Sequence, residues 1–186
     1  VAFGQYIYEV AKEREEHKGE FEVINSDHNF GVKGENFEVM FSYLNGGLVS
    51  YRYGGVEMIK AIPKPNFWRT PTDNDEGNLM PMRYAQWKIA SMYLSHKKPS
   101  DENYPDSMNP ELEITEEYAK ITYTYYLPTT PEAYCNLSYK VYGDGYIETE
   151  LYYEPVKELK DMPEFGVIFK FDADYENVSW YGMGYE

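Results

Sequence analysis

The side chains that could most readily carry chemistry form one cluster in the first half of the sequence. Asp73, Asn74, Asp75 and Glu76 follow one another directly, and Arg69 lies shortly before them. Carboxylate and amide oxygens are the ligands that hard cations such as Ca²⁺ prefer. The same side chains also stabilise tight loops through hydrogen bonds to nearby backbone groups, with an arginine neutralising an acid. Chemistry alone leaves both interpretations open.

The spacing of this cluster does not fit the common calcium-binding loop. That loop needs a third ligand, a glycine and a glutamate where this sequence has Gly77, Asn78 and Tyr84. We therefore expect a structured loop held by Asp73 and Asn74, and we nominate no metal site in this chain.

The remaining reactive groups form no obvious catalytic set. The three histidines, which show no metal-like spacing, are expected on the surface: His17, His28 and His96. Cys135 is the only cysteine and has no activating base beside it in the sequence, so we expect a buried thiol. A lone cysteine cannot form an intramolecular disulfide, which fits a reducing compartment.

The elements that would position these residues are β-strands. Apolar and polar side chains alternate over residues 37–43 and again over residues 49–53, and Asn45-Gly46-Gly47 between them predicts a hairpin turn. Further strand-like segments cover residues 119–126, 136–142, 146–153 and 165–171, with a tight turn at residues 143–145. Antiparallel strands joined by short turns predict an all-β sandwich.

Other stretches interrupt this pattern. Residues 62–81 are rich in Pro, Asn and Asp and predict a long structured loop. Residues 82–94 predict a short helix laid on the sheet, because four apolar side chains recur at helical spacing: Met82, Ala85, Ile89 and Met92. Residues 98–111 are polar and predict a second loop. Residues 1–10 predict a strand and residues 11–20 a polar linker, which indicates a domain boundary near residue 20.

Composition narrows the class of protein. The 186 residues are 42% apolar and 18% aromatic, with 21 tyrosines, which favours a packed β-structure over disorder. The net charge is −15, from 32 acidic and 17 basic residues, so nucleic acid and anionic membranes are poor partners. No apolar run approaches the roughly 18 residues that a membrane-spanning helix requires.

The cluster and its neighbours resemble a known family. Residues 67–77 resemble the F-x-R-x-P-x-D-N-D-x-G segment of lactase-type β-galactosidases of glycoside hydrolase family 2. Weaker matches follow in the family's order: Gln86-Trp87-Lys88, Met162-Pro163-Glu164-Phe165-Gly166 and Trp180-Tyr181-Gly182-Met183-Gly184. The sequence departs from the family at Glu164, usually arginine, and at Tyr185, usually proline.

This resemblance implies a domain organisation. Residues 21–186 would be the first part of the C-terminal small-chain domain, an antiparallel supersandwich similar to galactose mutarotase. Residues 1–20 would be the end of an Ig-like domain and its linker. The family's catalytic glutamates lie on a TIM barrel, which would precede this segment in a longer, cytoplasmic bacterial enzyme. That parent would use Mg²⁺ and Na⁺, whereas this chain would hold no cofactor.

The resemblance also implies a function. The parent would hydrolyse terminal β-D-galactosyl residues of lactose-type substrates with retention, which needs two carboxyl groups about 5 Å apart. Because both would lie on the barrel, we nominate no catalytic residue here and expect a non-catalytic domain that packs on the barrel and borders the active-site mouth. The substrate-proximal loop would comprise Asp73, Asn74, Asp75, Gly77 and Asn78, with Gly77 as a hinge because glycine accepts unusual backbone angles.

Direct contact with sugar would involve aromatic rings. Trp68, Trp87 and Trp180 are the candidates, and Trp68 is the one we expect near a sugar, although a tryptophan more often fills the core. Two alternatives stay open: an independent carbohydrate-binding module, and a mutarotase-like enzyme, for which no His and Glu acid–base pair stands out. Unpaired strand edges would favour self-association.

Overall fold

Two antiparallel sheets form the framework of the protein. The computed structural model describes residues 17–97, 110–159 and 161–177. The first sheet is a meander of five strands that are neighbours in chain order: β1 (Phe21–Asn25), β2 (Asn29–Gly34), β3 (Phe37–Ser42), β4 (Gly47–Tyr53) and β5 (Val56–Glu57). Strand β6 (Ala61–Asn66) then leads into three short helices, α1 (Asp73–Gly77), α2 (Met80–Arg83) and α3 (Ala85–Tyr93).

The second sheet has four strands in the spatial order β10, β9, β8, β7. These are β7 (Glu111–Ile114), β8 (Tyr118–Leu127), β9 (Ala133–Tyr142) and β10 (Ile147–Tyr153). A final strand, β11 (Gly166–Lys170), pairs with β6 in a separate two-stranded ribbon. None of the helices in the described part of the chain is both long and apolar enough to cross a bilayer.

Side-chain alternation along the strands builds one core between the sheets. In β3, Phe37, Val39 and Phe41 are buried, and the residues between them point outward. Strand β8 alternates in the same way over its whole length. The rings of Phe41 and Tyr139, one from each sheet, have centroids 5.3 Å apart. The predicted all-β sandwich is confirmed.

The predicted hairpins are also confirmed. The turn between β3 and β4 contains Gly46 at a φ of 65°, a left-handed conformation that suits glycine. Strands β1, β2 and β7 lie outside the segments that alternation predicted. Strand β7 is a fully exposed edge strand, so it buries no face that the sequence pattern would mark.

The loop predicted over residues 62–81 is wrong in part. Most of β6, all of α1 and the start of α2 fall within it. Pro63 and Pro65 lack the N–H that a central strand needs, and they are accommodated because β6 belongs to a two-stranded ribbon. Pro81 lies in the first turn of α2, where a missing N–H costs little.

The helix predicted after this segment is present, but its predicted orientation is wrong. The stripe Met82, Ala85, Ile89 and Met92 was expected to face the sheet, yet all four side chains are exposed. Trp87 and Ala90 are buried instead, at 1% and 0% exposure. The large indole ring therefore determines which side of α3 faces the core.

The described end of the predicted linker, residues 17–20, packs against the second sheet. The predicted strand over residues 1–10 and most of the linker lie outside the described residues, but the His17 ring stacks on Tyr146 with centroids 3.9 Å apart. Its Nδ1 lies 2.8 Å from an oxygen of Asp144. The backbones of Gly19 and Gly143 approach so closely that neither position has room for a β carbon. His17 is therefore a packed residue rather than a free surface one.

His96 is also more enclosed than the sequence indicated. Its Nε2 atom is buried and has no hydrogen-bond partner among the described residues. Burial, and next the charge of Lys97, lowers the pKa of His96, while a hydrogen bond to the Leu44 backbone opposes the shift. Only the exposure predicted for His28 is confirmed.

We expect the buried His96 to make stability fall in mild acid. The folded pKa lies below the unfolded value of about 6.5, so the unfolded state binds more protons as the pH falls. The contribution is complete above pH 6.5 and is lost as the pH drops from there through the folded pKa. Urea unfolding at several pH values between 7.5 and 5.5 should give a shallower pH dependence for His96→Gln than for the wild type. The same slope in both proteins would contradict this, and His28→Gln is the exposed control.

Candidate functional site

The site predicted from the sequence begins where β6 ends. Phe67 is fully buried, and its backbone N–H donates to Ser91 Oγ on α3 at 2.8 Å. Asn66 Nδ2 donates to the carbonyl of Trp68 at 2.8 Å, which holds the turn after the strand. These contacts fix the start of the acidic segment against the core.

Asp75 is the centre of the segment. Its carboxylate receives both arms of the Arg69 guanidinium, with Nη2 2.9 Å from Oδ1 and Nη1 bonded to Oδ2. Oδ2 also accepts from the backbone N–H and the hydroxyl of Thr72, each at 2.8 Å. The Arg69 hydrogen bonds, followed by those from Thr72, hold the pKa of Asp75 well below its usual range. Asp75 therefore stays ionised and serves as a structural acceptor rather than a free base.

Thr72 and Asp75 form a capping box at the start of α1. The Thr72 hydroxyl accepts from the Asp75 N–H at 3.3 Å, while the Asp75 carboxylate accepts from the Thr72 N–H. Asp73 and Glu76 complete an acidic first turn, which suits the partial positive charge at the start of a helix. Asp73 and Asn74 were predicted to hold the loop through side chain–backbone hydrogen bonds, but both are exposed, and the bonds that hold the segment are made by Asp75 with Thr72 and Arg69.

The end of the segment turns sharply after Gly77. Asn78 N donates to Asn74 O at 3.1 Å and closes α1. Gly77 is exposed and does not have a positive φ, whereas Leu79 has a left-handed backbone with φ 62° and ψ 29°. The unusual backbone angles expected at Gly77 occur at Leu79 instead, in the two-residue connection between α1 and α2. The hinge role of Gly77 stays a prediction.

An open pocket of about 390 Å³ lies beside this turn. It is lined by Arg69, Asp75, Asn78, Met80, Arg83, Tyr84, Asp161, Met162 and Pro163. Of the predicted site residues, the pocket brings together only Asp75 and Asn78.

The sequence reasoning missed Arg83 as a pocket residue. Its guanidinium carbon lies 5.0 Å from the Tyr84 ring centroid, Nη2 donates to the Tyr84 hydroxyl at 3.0 Å, and Nη1 donates to Asn78 O at 3.3 Å. Asp161, which also lines the pocket, was missed as well, although it directly precedes the Met162-Pro163 family match. Its position next to that match is the sequence signal that could have identified Asp161 as a site residue.

The two tryptophans among the described residues have different environments. Trp68 is half-buried against the core, and Lys88 Nζ lies 5.9 Å from its ring centroid; it does not line the pocket. Trp87 is buried between Phe67 and Tyr153, with ring centroids 5.7 and 5.8 Å away. No face of Trp87 is open to a sugar, so its candidacy is wrong. Trp180 lies outside the described residues.

The remaining candidates give no second site. Among residues 17–97, 110–159 and 161–177, no three His, Cys, Asp or Glu side chains come together in a way that could hold a metal ion. Cys135 is buried, as predicted, and burial raises the pKa of its thiol to about 12. Such a thiol is protonated at neutral pH and is a poor nucleophile.

The fold and the site together define an antiparallel β-sandwich domain with a capped acidic turn next to an open pocket. Residues 33–186 match the profile of the family described as beta galactosidase small chain, and the chain belongs to this family. The whole chain is 37% identical to a β-galactosidase of Clostridium acetobutylicum but covers 20% of that protein. It is 33% identical to a β-galactosidase of Streptococcus thermophilus, over 98% of this chain and 17% of the relative.

A third relative is organised differently. The β-galactosidase small subunit of Latilactobacillus sakei is 31% identical over 88% of this chain, and the match covers 54% of that subunit. The chain therefore spans about a fifth of the β-galactosidases it matches and about half of this small subunit.

Proposed function

We propose that this chain is a non-catalytic part of a β-galactosidase that hydrolyses terminal β-D-galactosyl residues of lactose-type substrates with retention. Family membership and the names of the much longer relatives support this proposal. The nucleophile, the acid/base and the Mg²⁺ and Na⁺ sites then belong to a catalytic barrel elsewhere in the parent, in the bacterial cytoplasm. The carboxylate that is best held in the candidate site, Asp75, is already neutralised by Arg69.

The proposed role of this part is to pack on the barrel and shape the active-site mouth. The observation that carries this role is the exposed tip of the acidic turn. The turn is held to the core by Phe67 before it and by the buried Met80 after it, whereas Gly77, Asn78 and Leu79 are exposed. An exposed tip between two fixed ends can present its residues to substrate or barrel, and shift locally, without moving the rest of the domain.

Replacing Gly77 tests this role in the full-length enzyme. A β carbon at Gly77 would contact nothing within 4 Å, and alanine is the better helix former, so Gly77→Ala should leave the melting temperature unchanged or slightly raised. The restricted backbone should still change kcat or KM for lactose several-fold if the turn moves during catalysis. Steady-state kinetics and thermal unfolding of the same preparation separate the two effects.

The matched control is Gly31→Ala on β2, where the new β carbon meets only ordinary contacts at 3.7 Å. Kinetics that are equally unchanged in both variants would overturn the role of the turn. Calorimetric titration of the 186-residue chain with galactose and lactose tests the alternative of an independent carbohydrate-binding module. Hydrolysis of a chromogenic galactoside by this chain alone would overturn the non-catalytic assignment.

A further inference from the structure

The outer side of the second and third helices is an exposed apolar surface. The side chains of Met82, Ile89, Met92 and Tyr93 form this α2–α3 face, with 76%, 48%, 63% and 66% of their area exposed. Ile89 is four residues from Tyr93 and three from Met92, so these side chains share one side of α3. Surface helices of a complete globular protein normally turn their apolar stripe inward, and exposed apolar clusters mark interaction sites.

The side chains of the α2–α3 face cannot turn into the core, because Trp87 and Ala90 already fill the core side of α3. The Trp87 carbonyl accepts from the Ser91 hydroxyl at 2.9 Å, and Ser91 Oγ accepts from the Phe67 N–H. Rotating α3 to bury Ile89 and Met92 would break this link and expose the indole ring. The α2–α3 face is therefore held outward by the packing beneath it.

The charge of this segment differs from that of the rest of the chain. Between residues 77 and 100 the sequence has no Asp or Glu and carries four basic residues, in a chain whose net charge is −15. Arg83 and Lys88 lie next to the apolar side chains on the helices. The complementary surface is therefore apolar with carboxylates around it. A second copy fits poorly, since a two-fold axis would bring Arg83 and Lys88 against their own counterparts.

We propose that the α2–α3 face docks on the catalytic region of the same β-galactosidase, against an apolar surface rimmed by acidic side chains. This inference rests on the proposed function. The matched β-galactosidases contain about four fifths of their length outside the segment aligned here. In the relative that is named a small subunit, the matching segment makes up about half of the chain. We therefore expect that this part of a β-galactosidase can dock on the rest without a covalent link.

Methionine oxidation tests the docking in the full-length enzyme. Oxidation by hydrogen peroxide follows the exposure of the sulfur. In the 186-residue chain by itself, Met82 and Met92 should oxidise about as fast as the exposed Met40, and the buried Met80 should oxidise slowly. In the full-length enzyme, Met82 and Met92 should become roughly ten-fold slower than Met40. Peptide mass spectrometry measures all four sites in one sample.

Two outcomes overturn the proposal. Oxidation of Met82 and Met92 at the rate of Met40 in the active full-length enzyme would show that they are uncovered; that result would remove the docking and leave the proposed function standing. Protection already present in the 186-residue chain, or in a piece of the parent that extends past residue 186 but lacks the catalytic region, would place the cover within this domain instead. Conversely, unchanged kinetics of Gly77→Ala with protected methionines would remove the role of the turn and keep the docking.

A variant pair confirms that protection comes from the face itself. Ile89→Glu places a carboxylate on the α2–α3 face and should restore rapid oxidation of Met82 and Met92 in the full-length enzyme. Leu44→Glu, at a more exposed position in the β3–β4 turn, is the control and should leave both protected. Equal oxidation in the two variants would contradict the assignment of this face.

Discussion

Trp87→Ala is expected to lower the free energy of unfolding by about 3–5 kcal/mol. The indole is 1% exposed and packs against the rings of Phe67 and Tyr153, which join β6 and the second sheet to α3. Its removal leaves a cavity that these neighbours cannot fill without moving the start of the acidic turn. Small domains have total stabilities of about 5–15 kcal/mol, so this loss would remove a large part of the stability. It is the largest effect that we expect from one substitution here.

The control for Trp87 lies two residues away on the same helix. Ile89 is 48% exposed, so Ile89→Ala should change the stability of the 186-residue chain by less than about 0.5 kcal/mol. Urea unfolding followed by circular dichroism measures both variants. Similar losses for the two would show that α3 is oriented as the apolar stripe predicted and would refute the described packing.

Tyr125→Phe is expected to lower the free energy of unfolding by about 1–3 kcal/mol. The Tyr125 hydroxyl donates to the Gly46 carbonyl in the β3–β4 turn at 2.6 Å, and the side chain is 3% exposed. Phenylalanine would leave that carbonyl without this donor in a buried environment. The bond joins the two sheets, so its loss should also accelerate amide exchange in the turn.

Tyr139→Phe is the matched comparison and should have the opposite result. The Tyr139 hydroxyl is buried in the same core but has no hydrogen-bond partner among the described residues. Removing it eliminates a buried polar group without stranding a partner, so stability should be unchanged or higher. Chemical unfolding of both variants, measured side by side, decides the point: a loss at Tyr139 equal to that at Tyr125 would mean that its hydroxyl is satisfied.

The acidic turn shows how far local sequence reasoning reaches. Its residue types predicted a structured segment with an arginine neutralising an acid, and Arg69 does bind Asp75. The sequence did not reveal that Asp75 is the partner, or that Thr72 completes a capping box, because several acids in a row are equivalent until one of them is buried. Arg83 and Asp161 are far apart in the chain, so only folding brings them to one pocket.

The sequence by itself determined the sandwich, since alternation with period two marks one face of each strand for the core and short glycine turns impose antiparallel pairing. It also determined the family, through the ordered F-x-R-x-P-x-D-N-D-x-G segment. The tertiary structure decided which side of α3 is buried. Two sides of α3 carry apolar residues, and the side with Trp87 is the buried one because its larger ring removes more apolar surface from water. The smaller apolar side chains of the α2–α3 face were left exposed for the same reason.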